Sequence, residues 1–148
     1  MRIIIGGAGR VGTELARALR AEEMDVVLVD SDSRAVKNAQ NLDVLVIHGD
    51  LTTREKLHEA GIGEAEIFVA ATNSDERNLL ACALAEHAHY QYGGAKAKPL
   101  MSISRVRSMN FMQEQKQGHL TGWAKVNHVV NPLDSAIKRF CLLYTSPS

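Results

Sequence analysis

The apolar run Ile3-Ile4-Ile5 leads almost directly into Gly7-Ala8-Gly9-Arg10-Val11-Gly12, and this junction restricts the fold more than any other feature of the chain. A G-x-G-x-x-G spacing alone is weak evidence, because glycine-rich turns are common. Between a strand and a helix it acquires a specific use. The first glycine makes a tight turn, the second lets backbone approach a pyrophosphate, and the third lets helix and strand pack closely. A helix is predicted from about Val11, since Val11, Leu15, Ala18 and Leu19 share one face and Arg17 and Arg20 point away. Its first-turn amides and the positive end of its dipole then face any anion in the loop.

The alternation of short apolar runs with helically spaced segments continues along the chain. Strands are predicted at Val26–Val29, Val44–Ile47, Ile67–Ala71, Leu100–Ser104 and Val129–Val130. Between them lie helical segments: one carrying Ala35, Val36 and Ala39 and capped by Ser31, Asp32 or Ser33, and a short one through Leu57 to Ala60. Thr52 and Glu55 have the spacing of a capping box for that short helix. A longer helix follows Thr72-Asn73-Ser74 and runs to about His89, burying Leu79, Leu80, Ala83 and Leu84. Residues 93–99 read as a loop, Phe111–Gln117 as a helix, 118–122 as a loop, and Asp134–Leu142 as a last helix. The pattern is that of an α/β domain: a Rossmann-type, doubly wound parallel sheet of about six strands with helices on both faces. A single domain over residues 1–142 is expected, with 143–148, polar and rich in breakers, as a disordered or appended tail.

Composition excludes several partners. Lys plus Arg and Asp plus Glu both number 17, so no basic field exists to hold a nucleic-acid backbone. The apolar runs fall far short of the roughly 20 residues that span a bilayer, so no direct membrane insertion is expected. Met1-Arg2 opens onto the first strand without a signal-peptide pattern, which suggests a cytoplasmic location. Cys82 and Cys141 form no CxxC pair, and the histidines are scattered, so neither disulfides nor a metal is expected.

Binding candidates gather at the carboxyl ends of the strands, where ligands of open α/β sheets collect. Asp30 ends the second strand at the separation from the glycine loop, about 20 residues, where an acid bonds ribose hydroxyls. An acid there repels a 2′-phosphate and favours NAD(H) or an adenosine nucleotide over NADP(H), without choosing between them. Ser31 follows it. Arg10 either contacts phosphate or is a solvated first-turn arginine. Asp50, followed by Leu51, either accepts from an adenine amino group or starts the next helix. Ala71, Thr72 and Asn73 either line the ligand or cap their helix, and Arg105 either meets phosphate or forms a surface salt bridge.

The glycine loop, Asp30, Gly49-Asp50, Ala71-Thr72-Asn73-Ser74-Asp75-Glu76 and Arg105-Val106-Arg107 stand in an order that resembles the RCK (KTN) domain. Within it, the chain is similar to the N-terminal domains of the cytosolic regulatory subunits of Trk potassium uptake systems. Ile-Ile-Gly-Gly-Ala-Gly-Arg-Val-Gly-Thr-Glu-Leu-Ala and Leu-Asp-Val-Leu-Val-Ile-His-Gly-Asp carry the likeness, which covers residues 1–107 well. The resemblance implies a regulator rather than an enzyme. It binds NAD(H), ATP or ADP, forms homodimers and higher rings, and acts on a membrane potassium-transporter subunit at the inner face of the cell membrane. It assigns Gly7, Gly9, Gly12 and Arg10 to the phosphates, Asp30 to the ribose and Asp50 to the neighbourhood of the adenine. Members of that family continue into a second ligand-binding domain, so this chain is expected to be part of a longer protein.

The alternative is the cofactor domain of an NAD-dependent dehydrogenase or reductase, for which the glycine loop and Asp30 argue equally well. Against it, no substrate domain is evident and no Tyr-x-x-x-Lys or His/Asp pair is expected to move a proton, Tyr90 and Tyr92 being read as without a lysine at that spacing.

Overall fold

All six expected strands form. In the computed structural model, which describes residues 2–130 together with Arg139, Cys141 and Leu143, they are β1 (Arg2–Gly6), β2 (Asp25–Asp30), β3 (Leu45–His48), β4 (Ala65–Ala70), β5 (Met101–Arg105) and β6 (His128–Val130). Every pairing is parallel, and the order across the sheet is β3-β2-β1-β4-β5-β6. The connecting helices are α1 (Arg10–Ala21), α2 (Ser33–Ala39), α3 (Arg54–Glu59), α4 (Asp75–Gly93), α5 (Met109–Lys116) and α6 (His119–Trp123).

The two-residue side-chain period of each strand feeds two cores. Ile3, Ile5, Val26, Leu28, Ile67, Val69 and Ile103 pack with Leu15, Ala16 and Leu19 of α1 and Ala39 of α2. Ile4, Val27, Val29 and Phe68 point the other way, onto Leu57 of α3, Leu79, Cys82 and Ala85 of α4, and Leu120 of α6. Strands β1, β2 and β4 are therefore apolar on both faces and read as unbroken hydrophobic runs, as a doubly covered parallel sheet requires.

Four local expectations are corrected. Leu80 is 57% exposed and Ala83 and Leu84 are only partly buried; the inward stripe of α4 is Asn78, Leu79, Ala81, Cys82, Ala85, Ala88 and His89, and the helix runs on to Gly93. The Thr52/Glu55 capping box does not form. Instead α3 starts at Arg54, and the Asp50 carboxylate turns the preceding chain by accepting from the Thr52 amide at 2.9 Å and its hydroxyl at 2.7 Å. Gly118–Gly122 is not a loop. Gly118, at φ 79°, reverses the chain and α6 begins at once. Helix α5 starts two residues before Phe111 because the Asp75 carboxylate accepts from the amides of Arg107 and Ser108 and fixes its approach. The helix predicted over Asp134–Leu142 and the tail over 143–148 lie essentially outside the described residues.

Candidate nucleotide-binding cleft

The order of strands changes direction between β1 and β4, and it is at such a switch point that the carboxyl edge of an open α/β sheet parts into a crevice. A cleft of 540 Å³ opens there, within the size range of small-molecule sites. Gly7, Gly9, Arg10 and Val11 line it from the first turn, Asp30 and Ser31 from the end of β2, Leu51 from the β3–α3 turn, Ala71, Thr72 and Asn73 from the end of β4, and Arg105 from the end of β5. Most of the residues expected from sequence are thus brought together around one space.

The glycines differ in what they do. Gly7 has φ 111°, and a Cβ there would stand 2.8 Å from the Ala71 carbonyl oxygen, so turn geometry and close approach both demand glycine. A Cβ at Gly12 would drive into the Gly7 carbonyl, so this glycine serves helix–strand packing. At Gly9 nothing of the protein lies within 4 Å of where a Cβ would stand. Gly9 lines the cleft. Gly9 is also the N-cap of α1 and supplies no side chain to its first turn, and no acid sits in that turn. The amides there lack intrahelical acceptors and remain available to an anion.

Asp30 has a part that its position in the chain did not reveal. One carboxylate oxygen accepts from the Ala8 amide at 2.7 Å and the other from the Asp32 amide at 2.8 Å, tying the end of β2 to the glycine loop. Each oxygen keeps a second lone pair for a ligand hydroxyl. Asp30 therefore shapes the loop and faces the cleft at once.

Three expected residues stand back from the cleft wall. Ala8 is 3% exposed and contributes its amide to Asp30; Gly12 is buried in the helix–strand contact. Asp50 makes the turn described above and a salt bridge of 2.7 Å to Arg77. Those partners, Thr52 foremost, hold its carboxyl below the usual carboxylate range despite some desolvation. Its helix-starting role is therefore realised, and its neighbour Leu51 is the one on the wall.

Other wall residues escaped the sequence reading. Arg77, in the first turn of α4, lines the cleft, as do Glu14, Val29, Asp32 and Ala35. Glu14 meets Arg10 at 3.3 Å, one helical turn on, in a pair that is largely solvent-exposed. The buried Asn78 organises the far wall. Its Oδ1 accepts from the Thr72 amide at 2.9 Å, and its Nδ2 donates to the Thr72 and Arg105 carbonyls at 3.1 and 2.9 Å, locking the ends of β4 and β5 together. The spacing from Thr72 to Asn78 across a helix start was the one signal that could have found it.

Arg105 is only partly satisfied. Its Nη1 donates to the Thr72 carbonyl and Asn73 Oδ1 at 3.3 and 3.2 Å, while its buried Nε has no partner. Burial, reinforced by nearby Arg107, lowers the pKa of its guanidinium, with Asp75 opposing.

Candidates for chemistry lie elsewhere or are occupied. Tyr92 and Lys96 do stand at Tyr-x-x-x-Lys spacing, which corrects the expectation that neither Tyr90 nor Tyr92 has a lysine so placed. Tyr92 lies in the last turn of α4 and Lys96 beyond its end, neither on the cleft wall, and Tyr92 stacks on His58 at 3.8 Å. Cys82 is fully buried, and burial pushes its thiol pKa far up, so it is core rather than nucleophile. His89 staples the chain instead, its two ring nitrogens meeting the carbonyls of Ile62 and Lys98. Among the described residues no group of His, Cys, Asp or Glu is arranged to hold a metal ion.

The family model of the TrkA-N domain matches residues 3–132. The chain belongs to the TrkA-N domain family. This TrkA-N domain is 33% identical over 133 residues to the Trk system potassium uptake protein TrkA of Vibrio alginolyticus, covering 89% of the chain and 27% of that protein. It is 35% identical over 148 residues to a TrkA homolog of Methanothermobacter thermautotrophicus, covering 99% of the chain and 62% of that protein. The TrkA-N domain thus spans only part of the relatives it matches. Among solved structures, it aligns with the GsuK channel bound to NAD at a TM-score of 0.67 and 20% identity, over 87% of this chain and 21% of that one. That likeness is one of fold. Among the described residues no helix is long and apolar enough to cross a membrane.

Proposed function

We propose that this TrkA-N domain is a nucleotide-binding regulatory domain of a potassium uptake system, whose ligand biases an attached membrane transporter by rearranging paired domains. The observation that carries this reading is the cleft itself: Gly9, the uncapped N-cap of α1, and Asp30 line the same space. The first suits a diphosphate and the second a ribose. NAD(H), ATP and ADP share both features. The curated relatives bear the name of potassium uptake proteins, and GsuK is a channel that was solved with NAD. A cytoplasmic homodimer beneath a membrane partner is part of this reading. Control of this kind needs different affinities for the two arrangements, since a nucleotide binding both equally shifts neither.

Titration calorimetry with NADH, NAD, ATP and ADP tests the reading. Saturable binding is expected, with a loss of tenfold or more in Asp30→Ala, on the order of one or two hydrogen bonds to a charged acceptor. Steady reduction of NAD with candidate alcohols would instead make the chain a dehydrogenase domain.

A further inference from the structure

We propose that His89 is a proton-operated latch: with a proton on each ring nitrogen it holds the carbonyls of Ile62 and Lys98 at once, and on giving up one proton it lets go of Lys98 and the stretch leading into β5. None of these residues lines the cleft, so the latch does not depend on what binds there.

The ring is 1% exposed, with Nδ1 2.7 Å from the Ile62 carbonyl oxygen and Nε2 2.5 Å from that of Lys98. A carbonyl oxygen only accepts, whereas a neutral imidazole has one donor nitrogen and one acceptor. A neutral ring therefore satisfies one of these contacts and presents a lone pair to the other oxygen. Turning the ring over puts carbon at both positions. Only the doubly protonated ring donates to both.

The two contacts are not equally anchored. Ile62 is fully buried in the 3-10 turn Ile62–Glu64, which passes directly into β4. Lys98 is exposed and follows the short turn Gly94–Lys96, whose first residue has φ 69°. Its neighbour Pro99 has no N–H with which to tie the chain down. The contact that opens on deprotonation is therefore the one at Nε2, and the proton left on Nδ1 keeps Ile62.

No counter-charge fixes the ring in one state. The acids on the segments around it are Glu64, Glu66 and Glu86, and none forms an ion pair with it. Lys96 and Lys98, on the stretch it holds, carry the same sign as the protonated ring. Tyr90 meets the ring edge-on at 4.9 Å. Across on α3, Glu59 pairs with Lys56, Arg54 donates to Nδ1 of His87 at 2.9 Å, and His58 stacks on Tyr92. Burial opposes the charged ring while two charge-assisted bonds favour it, and a switch needs that opposition.

NMR on the 15N-labelled chain between about pH 5 and 8, the range in which histidine changes charge, reads the latch directly. At the acid end both ring nitrogens of His89 are expected to carry protons. As pH rises, Nε2 should lose its proton while Nδ1 keeps its own. The amide signals of Ala97, Lys98 and Leu100 should shift with the same midpoint and gain fast motion, while those of Ile62 and Glu64 stay in place. His89→Gln should abolish the pH response of the loop, and His87→Gln should leave it intact. A ring holding one proton throughout, a ring holding two throughout, or Nδ1 losing its proton first would each overturn the latch. So would loop signals that follow His87 or that still move in His89→Gln. Should His89→Gln fail to fold, the midpoints in wild type and His87→Gln decide alone.

Discussion

At Gly9 and Gly12 the same substitution has opposite readouts, and the difference separates a ligand site from a packing site. A Cβ at Gly12 meets the Gly7 carbonyl, a backbone atom that cannot rotate away. Gly12→Ala should therefore shift α1 from β1 and cost about 1–3 kcal/mol or more, the range for overpacking, seen as a lower thermal midpoint. Gly9 has extended backbone at φ −80°, which any residue adopts, and open space where its Cβ would stand. Gly9→Ala should leave the midpoint within about 1–2 °C, since surface changes usually fall within ±0.5 kcal/mol, yet weaken nucleotide binding at least tenfold. Equal binding to wild type would mean that no diphosphate lies against that turn. The tight turn at Gly7 and the packing role of Gly12 were readable once the spacing stood between a strand and a helix. The role of Asp30 was readable only in part, because its bonds to Ala8 and Asp32 depend on where the loop comes to rest.

At the scale of the element, the strands were the most legible. Runs such as Val26-Val27-Leu28-Val29 are apolar on both faces only when both are covered, and they leave little choice of structure. Helix α4 was harder. With Leu79, Leu80, Ala83 and Leu84 all apolar, periodicity did not single out a face, and the structure turns Leu80 to solvent while burying Asn78 and His89. Each makes a bond to a carbonyl 27 residues away, Asn78 to Arg105 and His89 to Ile62. No local pattern announces such partners. The same holds for the salt bridge between Asp50 and Arg77. The register of α4 is testable: Leu79→Ala, at 2% exposure, should cost about 2–5 kcal/mol, and Leu80→Ala, at 57%, within about 0.5 kcal/mol. Urea midpoints at constant slope would report both. A large loss at Leu80 would mean that this face is covered in the assembled protein.

For the molecule as a whole, the cleft exists only when the sheet does. Its walls come from the ends of β1, β2, β4 and β5 and from the turn after β3, segments that are far apart in an unfolded chain and adjacent only in the order β3-β2-β1-β4-β5-β6. A nucleotide should therefore bind the native state alone, and its free energy appears in full as stability. At a free concentration a hundred times its dissociation constant, that amounts to about 2.7 kcal/mol. For a domain of this size each kcal/mol moves the thermal midpoint by about 2–4 °C, so a rise of about 5–10 °C is expected on saturation. The rise should grow with the logarithm of ligand concentration, without a plateau once the site is full, which distinguishes linkage from a nonspecific solvent effect. Gly9→Ala should abolish most of it at unchanged unliganded midpoint. A wild-type midpoint that stays put at millimolar ATP, ADP and NADH would mean that the crevice at the switch point is not where this domain meets its ligand, however well its residues are arranged for one.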